Sequence, residues 1–278
     1  MAKVMNNPTR GLCLLKAISV RVLGPRLIRR MQTLWHGYKF DELDIILEYF
    51  SDRNCQEAVM VDVGAHFGTS LGQFAAGGWI VHAFEPDDHN RAVLKIRHGH
   101  RSNVIINNLA ASDTTGGVVQ FFTSKVSTGI SGLEAFDDTH SASQEVPLIR
   151  IDDYCRDVGI KHIDFLKIDA EGHDLIVLKG IDLSHIPVDV IVCEFEDRKT
   201  SARGYDRFDL ALHLTERGYR IVISEWHPIQ SYGGNHRWKA FRNSMDETAP
   251  NSWGNIIAFK KEIPKELVRS YKNRFSQK

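Results

Sequence analysis

The chain has 278 residues, 42% apolar and 25% charged, a composition that excludes wholesale disorder and allows a full core in one domain, with or without appendages. Lys plus Arg and Asp plus Glu each number 35, so the basic excess of a dedicated nucleic-acid binder is missing. Cys13, Cys55, Cys155 and Cys193 are scattered without a CxxC pair, which argues against a zinc site or disulfide framework and fits a reducing, cytoplasmic setting.

Residues 1–55 read as an N-terminal helical extension. Residues 11–31 are moderately apolar, but Lys16, Arg21, Arg26, Arg29 and Arg30 interrupt them before the ~18–20 apolar residues of a membrane span. Those basic residues lie inside and after the apolar stretch, the wrong order for a signal peptide. What remains is a basic amphipathic helix, expected to pack on its own domain, with contact to an anionic membrane surface as the alternative. Phe40, Leu43, Ile46, Leu47 and Phe50 recur at helical spacing and predict a helix over 40–50.

An α/β domain is predicted over 56–262. Short apolar runs at 58–63, 79–84, 104–107, 163–168 and 188–193 read as buried strands. Helical patterns at 70–76, 90–97 and 175–179 fall between them, and this alternation predicts a doubly wound parallel sheet. Residues 115–150 interrupt it with β-like pieces at 118–122 and 146–149. Beyond come a helix at 205–217, a strand at 220–224 and a last strand at 255–260. Residues 225–254 read as one large loop, too aromatic for disorder, and 263–278 as a C-terminal helix or tail.

The first strand runs into Val61-Asp-Val-Gly-Ala-His-Phe-Gly-Thr69. Glycines there let a ligand approach the backbone, and a helix starting just after offers free N–H groups. His66 stands where the G-x-G-x-x-G loop of NAD-binding proteins has its second glycine. About 20 positions past Gly64, the second strand ends in His82-Ala-Phe-Glu-Pro86, which places Glu85 to accept from two ribose hydroxyls. The third strand ends in Asn107-Asn-Leu-Ala-Ala-Ser-Asp113, where Asn108 or Leu109 would border an adenine, a strand exit with turn residues being the plain alternative. Cofactor contacts are therefore assigned to Asp62, Gly64, Ala65, His66, Gly68, Thr69, Glu85, Asn108 and Asp169. Phe165-Leu-Lys-Ile-Asp-Ala-Glu-Gly-His-Asp174 is the densest polar constellation, and Cys193-Glu-Phe-Glu-Asp197 ends the next strand similarly. Carboxylates converging beside a nucleotide suggest general-base chemistry or a metal site; no metal is assigned.

These motifs, with Ile151-Asp-Asp153, Asp189-Val-Ile-Val-Cys-Glu194 and Asn255-Ile-Ile-Ala258, resemble the FkbM family of S-adenosylmethionine-dependent methyltransferases over about residues 58–260. The resemblance implies a class I methyltransferase fold, a Rossmann-like sheet of seven strands whose last is antiparallel. It implies that Gly64 and Gly68 approach the methionine part of S-adenosylmethionine and that Glu85 takes the ribose. It also implies oxygen methylation, often of a sugar hydroxyl, on acceptors that vary widely across the family.

Transfer of a methyl to an alcohol needs alignment of the partners and a base near the methyl. The candidates are Asp169, Glu171 and His173, in that order of proximity. Trp226, His227, Tyr232, His236 and Trp238 are residue types that stack on sugar faces and bond hydroxyls, so the 225–254 loop is expected to bind a small-molecule or glycan acceptor. Core capping or a dimer interface is the alternative for these aromatics, and a homo-oligomer is left open. An NAD-dependent sugar oxidoreductase is disfavoured by His66 and by the lack of a Tyr-x-x-x-Lys pair. The Asp169–Asp174 carboxylates speak against a non-catalytic nucleotide-binding module, and neutral charge against a nucleic-acid methyltransferase.

Overall fold

The computed structural model describes residues 40–51, 57–230, 232 and 236–275. The predicted basic helix at 11–31, Cys13 and Cys55 lie outside them. The central sheet is the mostly parallel, doubly wound sheet that the alternation predicts. Its strands are β1 (Val59–Val63), β2 (Ile80–Phe84), β3 (Val104–Asn107), β7 (Ile163–Ile168), β8 (Val188–Glu196), β9 (Arg220–Trp226), β10 (Trp238–Arg242) and β11 (Trp253–Phe259), in the order β10-β9-β11-β8-β7-β1-β2-β3. The chain leaves β1 toward β2 and β3, then returns to pair β7 beside β1. That reversal opens a crevice at the carboxyl ends of the strands, where sheets of this kind bind ligands.

β11 runs antiparallel to both its neighbours, β8 and β9. The eighth strand, β10, goes beyond the seven that the family resemblance implies. It corrects the single loop expected over 225–254: β9 reaches Trp226, β10 pairs antiparallel to it, and β11 begins at Trp253. Smaller strands β4 (Ala110–Ala111), β5 (Val118–Ser124) and β6 (His140–Ile149) form a second sheet in the order β4-β6-β5.

The helices follow their local signals. They are α1 (Leu43–Tyr49), α2 (Gly72–Ala76), α3 (Asp88–His98), α4 (Ile151–Val158), α5 (Asp174–Lys179), α6 (Asp197–Thr200), α7 (Arg207–Glu216) and α8 (Lys265–Phe275). Asp87 caps α3 by accepting from Asn90 N at 2.7 Å, and Asp206 and Asp209 form a capping box on α7. α4, absent from the sequence reading, stops at Gly159 in the left-handed conformation, φ +81°. Each face of the sheet carries its own apolar cluster. One gathers Leu166, Ile191, Leu178 and Leu214. The other gathers Met60, Phe165, Phe74 and Ile46, and Tyr271 of α8 joins it with its hydroxyl on Glu48. No helix of the described residues is long and apolar enough to cross a membrane.

Candidate active site

The glycine loop is fixed by backbone packing. A Cβ on Gly64 would stand 1.9 Å from the Asp169 carbonyl oxygen, and its φ of +74° lies in the left-handed region. Between Gly64 and Gly68, Ala65 is buried while Thr69 is exposed. Glu85, 4% exposed at the end of β2, accepts from His66 N at 2.6 Å and from Asp87 N at 2.9 Å, one bond on each oxygen. Burial pushes its carboxyl up to about 7 despite these bonds. Each oxygen keeps a further lone pair for a hydroxyl. Asp62 is fully buried, accepts from Ser70 Oγ at 2.5 Å and faces Lys167 at 3.7 Å, so it pins β1 to β7 beneath the loop.

Gly64, Glu85 and Asp169 line one cleft of about 50 Å³, well below the roughly 300–1,000 Å³ usual for small-molecule sites, so it must widen to admit a nucleoside. Phe84, Leu109, Phe121 and Leu133 add apolar lining. Leu109 lines the cleft and Asn108 is exposed. The cleft thus combines apolar lining with the carboxyl groups of Glu85 and Asp169.

Beyond Asp169 the same edge becomes a carboxylate cluster. Burial would raise Asp169, but Lys167 at 3.1 Å and the charge of Lys199 hold its carboxyl below the ordinary range. Lys199 of α6, 3% exposed, lies 2.7 Å from Glu171, 2.7 Å from Glu194 and 3.1 Å from Glu196. Three carboxylates share one ammonium. Burial pushes Glu171 up to about 8 and Glu194 well above its usual value. The same carboxylates keep Lys199 charged against the opposing effect of burial. Oxygens of Asp169, Glu171 and Glu194 lie within 4.8 Å of one another, spacing that would also hold a metal ion.

His173 is engaged at both nitrogens. Arg203 Nη1 lies 2.5 Å from its Nδ1, and Ser112 Oγ lies 3.1 Å from its Nε2. A guanidinium only donates, so Nδ1 accepts and Nε2 carries the proton. Burial and the Arg203 charge push the imidazole down to about 3. Of the three expected bases, His173 is thus a neutral part of the cleft wall, with no lone pair free to take a proton.

The expected acceptor residues divide. Tyr232 reaches the cluster, its hydroxyl 3.0 Å from Glu196, with Phe136 6.0 Å from its ring. Trp226 and Trp238 turn to Phe40 instead, at 5.9 and 4.7 Å. Their indole N–H groups donate to Glu42 and Ser224, so this pair joins the 40s segment to the sheet. His236 is exposed beside Trp253, and His227 is half-buried with its backbone paired to Arg237. Lys199 and Arg203 escaped the sequence reading. Their stretch, Asp197-Arg-Lys-Thr-Ser-Ala-Arg203, looks like a solvated charge run, and only the fold turns two of its cations inward.

A family model for the methyltransferase FkbM domain matches residues 62–221. No curated protein sequence matches the chain. Among solved structures, it is similar to a precorrin-6y C5,15-methyltransferase from Geobacter metallireducens at 14% identity, over 78% of this chain and 87% of that one, with a TM-score of 0.40. A METTL16 MTase domain matches at 10% identity over 80% and 67% of the two chains, with a TM-score of 0.44. A SAM dependent methyltransferase from Aquifex aeolicus matches at 11% over 79% and 90%, with a TM-score of 0.38. Similarity at this level bears on neither substrate nor mechanism. The family match spans more than half of the chain and takes in the glycine loop, Glu85 and the carboxylate-rich end of β7: the chain belongs to the FkbM methyltransferase family.

Proposed function

We propose that the protein is an S-adenosylmethionine-dependent O-methyltransferase acting on a hydroxyl, preferably a sugar hydroxyl, of a small molecule or glycan. The observation that carries this reading is the continuity of two sites along one sheet edge. The Gly64–Glu85–Asp169 cleft would take the cofactor once it widens, and the Lys199-centred carboxylates begin where Asp169 ends. Glu85 would hold the ribose hydroxyls, Leu109 and Phe121 the adenine, and Asp169 the ammonium of the methionine part. S-adenosylmethionine, when bound, supplies a methyl already activated on a sulfonium.

The chain's task is alignment, exclusion of water and removal of one proton. Alignment alone is worth roughly 7–11 kcal/mol in favourable cases. Asp169, held ionised, orients. Glu171 is the base: burial makes its carboxylate a stronger proton acceptor than an ordinary acid, and it stands beside Asp169. His173 shapes the cleft. Neutral hydroxyls suit the acceptor side, where Lys199 is already taken up by three carboxyl groups and so is not offered to an anionic acceptor.

The test is methyl transfer from labelled S-adenosylmethionine to a panel of neutral sugars, sugar phosphates and amines. O-methylated neutral sugar, lost in Asp169→Asn and Glu171→Gln, supports the reading. N-methylated product, or transfer untouched by both substitutions, contradicts it.

A further inference from the structure

The hairpin between β5 and β6 carries a loop, residues 125–139, that lies across both halves of the site. Its base is pinned by the Ser124–His140 pairing and by Ser124 Oγ on Thr139 Oγ1 at 2.8 Å. On the cofactor side, Thr128 Oγ1 meets His66 Nε2 at 2.9 Å, and Ser131 to Leu133 line the cleft. On the acceptor side, Asp137 meets Arg198 at 2.9 Å and Phe136 meets Tyr232. A Cβ on Gly132 would come within 3.3 Å of the Glu171 side chain, so the loop sits directly on the base.

Two features mark this loop as a lid and not a wall. Of its apolar side chains only Ile130 is buried, and polar contacts hold it down: the Phe122–Gly132 backbone pair, His140 Nε2 on the Ile130 carbonyl at 2.7 Å, and the side-chain contacts above. Segments with few buried apolar contacts open at low cost. Beneath it, the side chains of Glu171, Glu194 and Lys199 are 11%, 10% and 3% exposed, too covered for an acceptor to reach while the loop stays down. Loops of this length with paired ends commonly gate active sites.

One buried cation joins the loop to the cleft. The Arg203 side chain is 8% exposed, and among the described residues its Nε and Nη2 have no hydrogen-bond partner. Its Nη1 alone is used, and it serves two masters: His173 Nδ1 in the cleft wall at 2.5 Å and Glu134 of the loop at 3.2 Å. A guanidinium taken out of water and left half-used is poor cement. Its single engaged nitrogen spans the joint between lid and cleft.

We propose that Arg203 is a positioning residue that couples closure of the 125–139 lid to occupancy of the cofactor cleft. The coupling rests on the cofactor reading above; the latch itself does not. Hydrogen–deuterium exchange of the full chain reads both, with S-adenosylhomocysteine as the probe and calorimetry to confirm that it binds. Glu134→Gln, a change at a half-exposed side chain, should speed exchange of 125–139 by about two- to fivefold without ligand and leave β1 and β7 unchanged. The probe should slow the loop in the parent protein but not in Arg203→Met, and Arg203→Lys should restore part of the slowing. An unligated loop equally slow in Glu134→Gln and the parent would overturn the latch. Slowing that persists in Arg203→Met would overturn the coupling. Absence of probe binding in the parent would overturn the coupling together with the cofactor reading, while the Glu134→Gln comparison would still decide the latch.

Discussion

At one end of the polar sheet edge Glu85 stands alone, its two oxygens each held by a backbone N–H. At the other end Glu171, Glu194 and Glu196 crowd around one ammonium delivered by α6. The first end is made of backbone: a left-handed glycine, two amide donors and a strand exit, all within the short stretches 61–69 and 82–87. The second is made of side chains from β8, the β7 exit, α6 and Tyr232. A backbone-built site tolerates little change and suits a constant ligand. A site built from side chains can be retuned one residue at a time, as a changing acceptor requires.

The sharpest break of this contrast is at the base. Glu171→Gln should lower kcat by about 10²–10⁴-fold. A carboxyl titrating at about 8 is a base only when ionised, so kcat in the parent should climb as pH rises from 7 to 9 and then level off. The variant should lose that limb; a pH profile unchanged by the substitution would move the base elsewhere. Next comes Lys199→Met, which strands three buried carboxylates and should cost about 3–5 kcal/mol in denaturant unfolding. Gly64→Ala should cost roughly 2–4 kcal/mol, from the left-handed backbone and the clash with the Asp169 carbonyl, and should abolish cofactor binding. Trp238→Leu should lower stability by about 1–3 kcal/mol while leaving the acceptor KM unchanged, because its indole serves Phe40 and Ser224. Smallest is Tyr232→Phe, which removes one hydroxyl from Glu196 and should cost about 1 kcal/mol, read as a several-fold rise in acceptor KM.

The same contrast explains what was legible in the sequence. β1, β2, β7 and β8 are buried on both faces and read as near-continuous apolar runs. Their exits carry the glycines and acids at fixed offsets, so the cofactor edge is visible from spacing. α4 was hidden because Asp152 and Asp153 dominate its first turn, although Ile151, Tyr154 and Cys155 keep one buried helical face and Gly159 marks its end. β6 extends back to His140 through Ser141-Ala-Ser-Gln-Glu145, a polar run whose extended form comes from its partner β5. β10 is five residues without a β-branched side chain, set by pairing with β9. Lys199 and Arg203 left no trace at all, since a cation's burial depends on which distant carboxylate or imidazole the fold brings to it.

The most direct measurement is calorimetric titration of the purified chain with S-adenosylhomocysteine, with NAD as the control ligand and Glu85→Ala as the control protein. Binding in the micromolar range that is lost in Glu85→Ala, with none to NAD, is the predicted result. No binding of S-adenosylhomocysteine, a preference for NAD, or affinity untouched by Glu85→Ala would contradict the cofactor site built on the glycine loop.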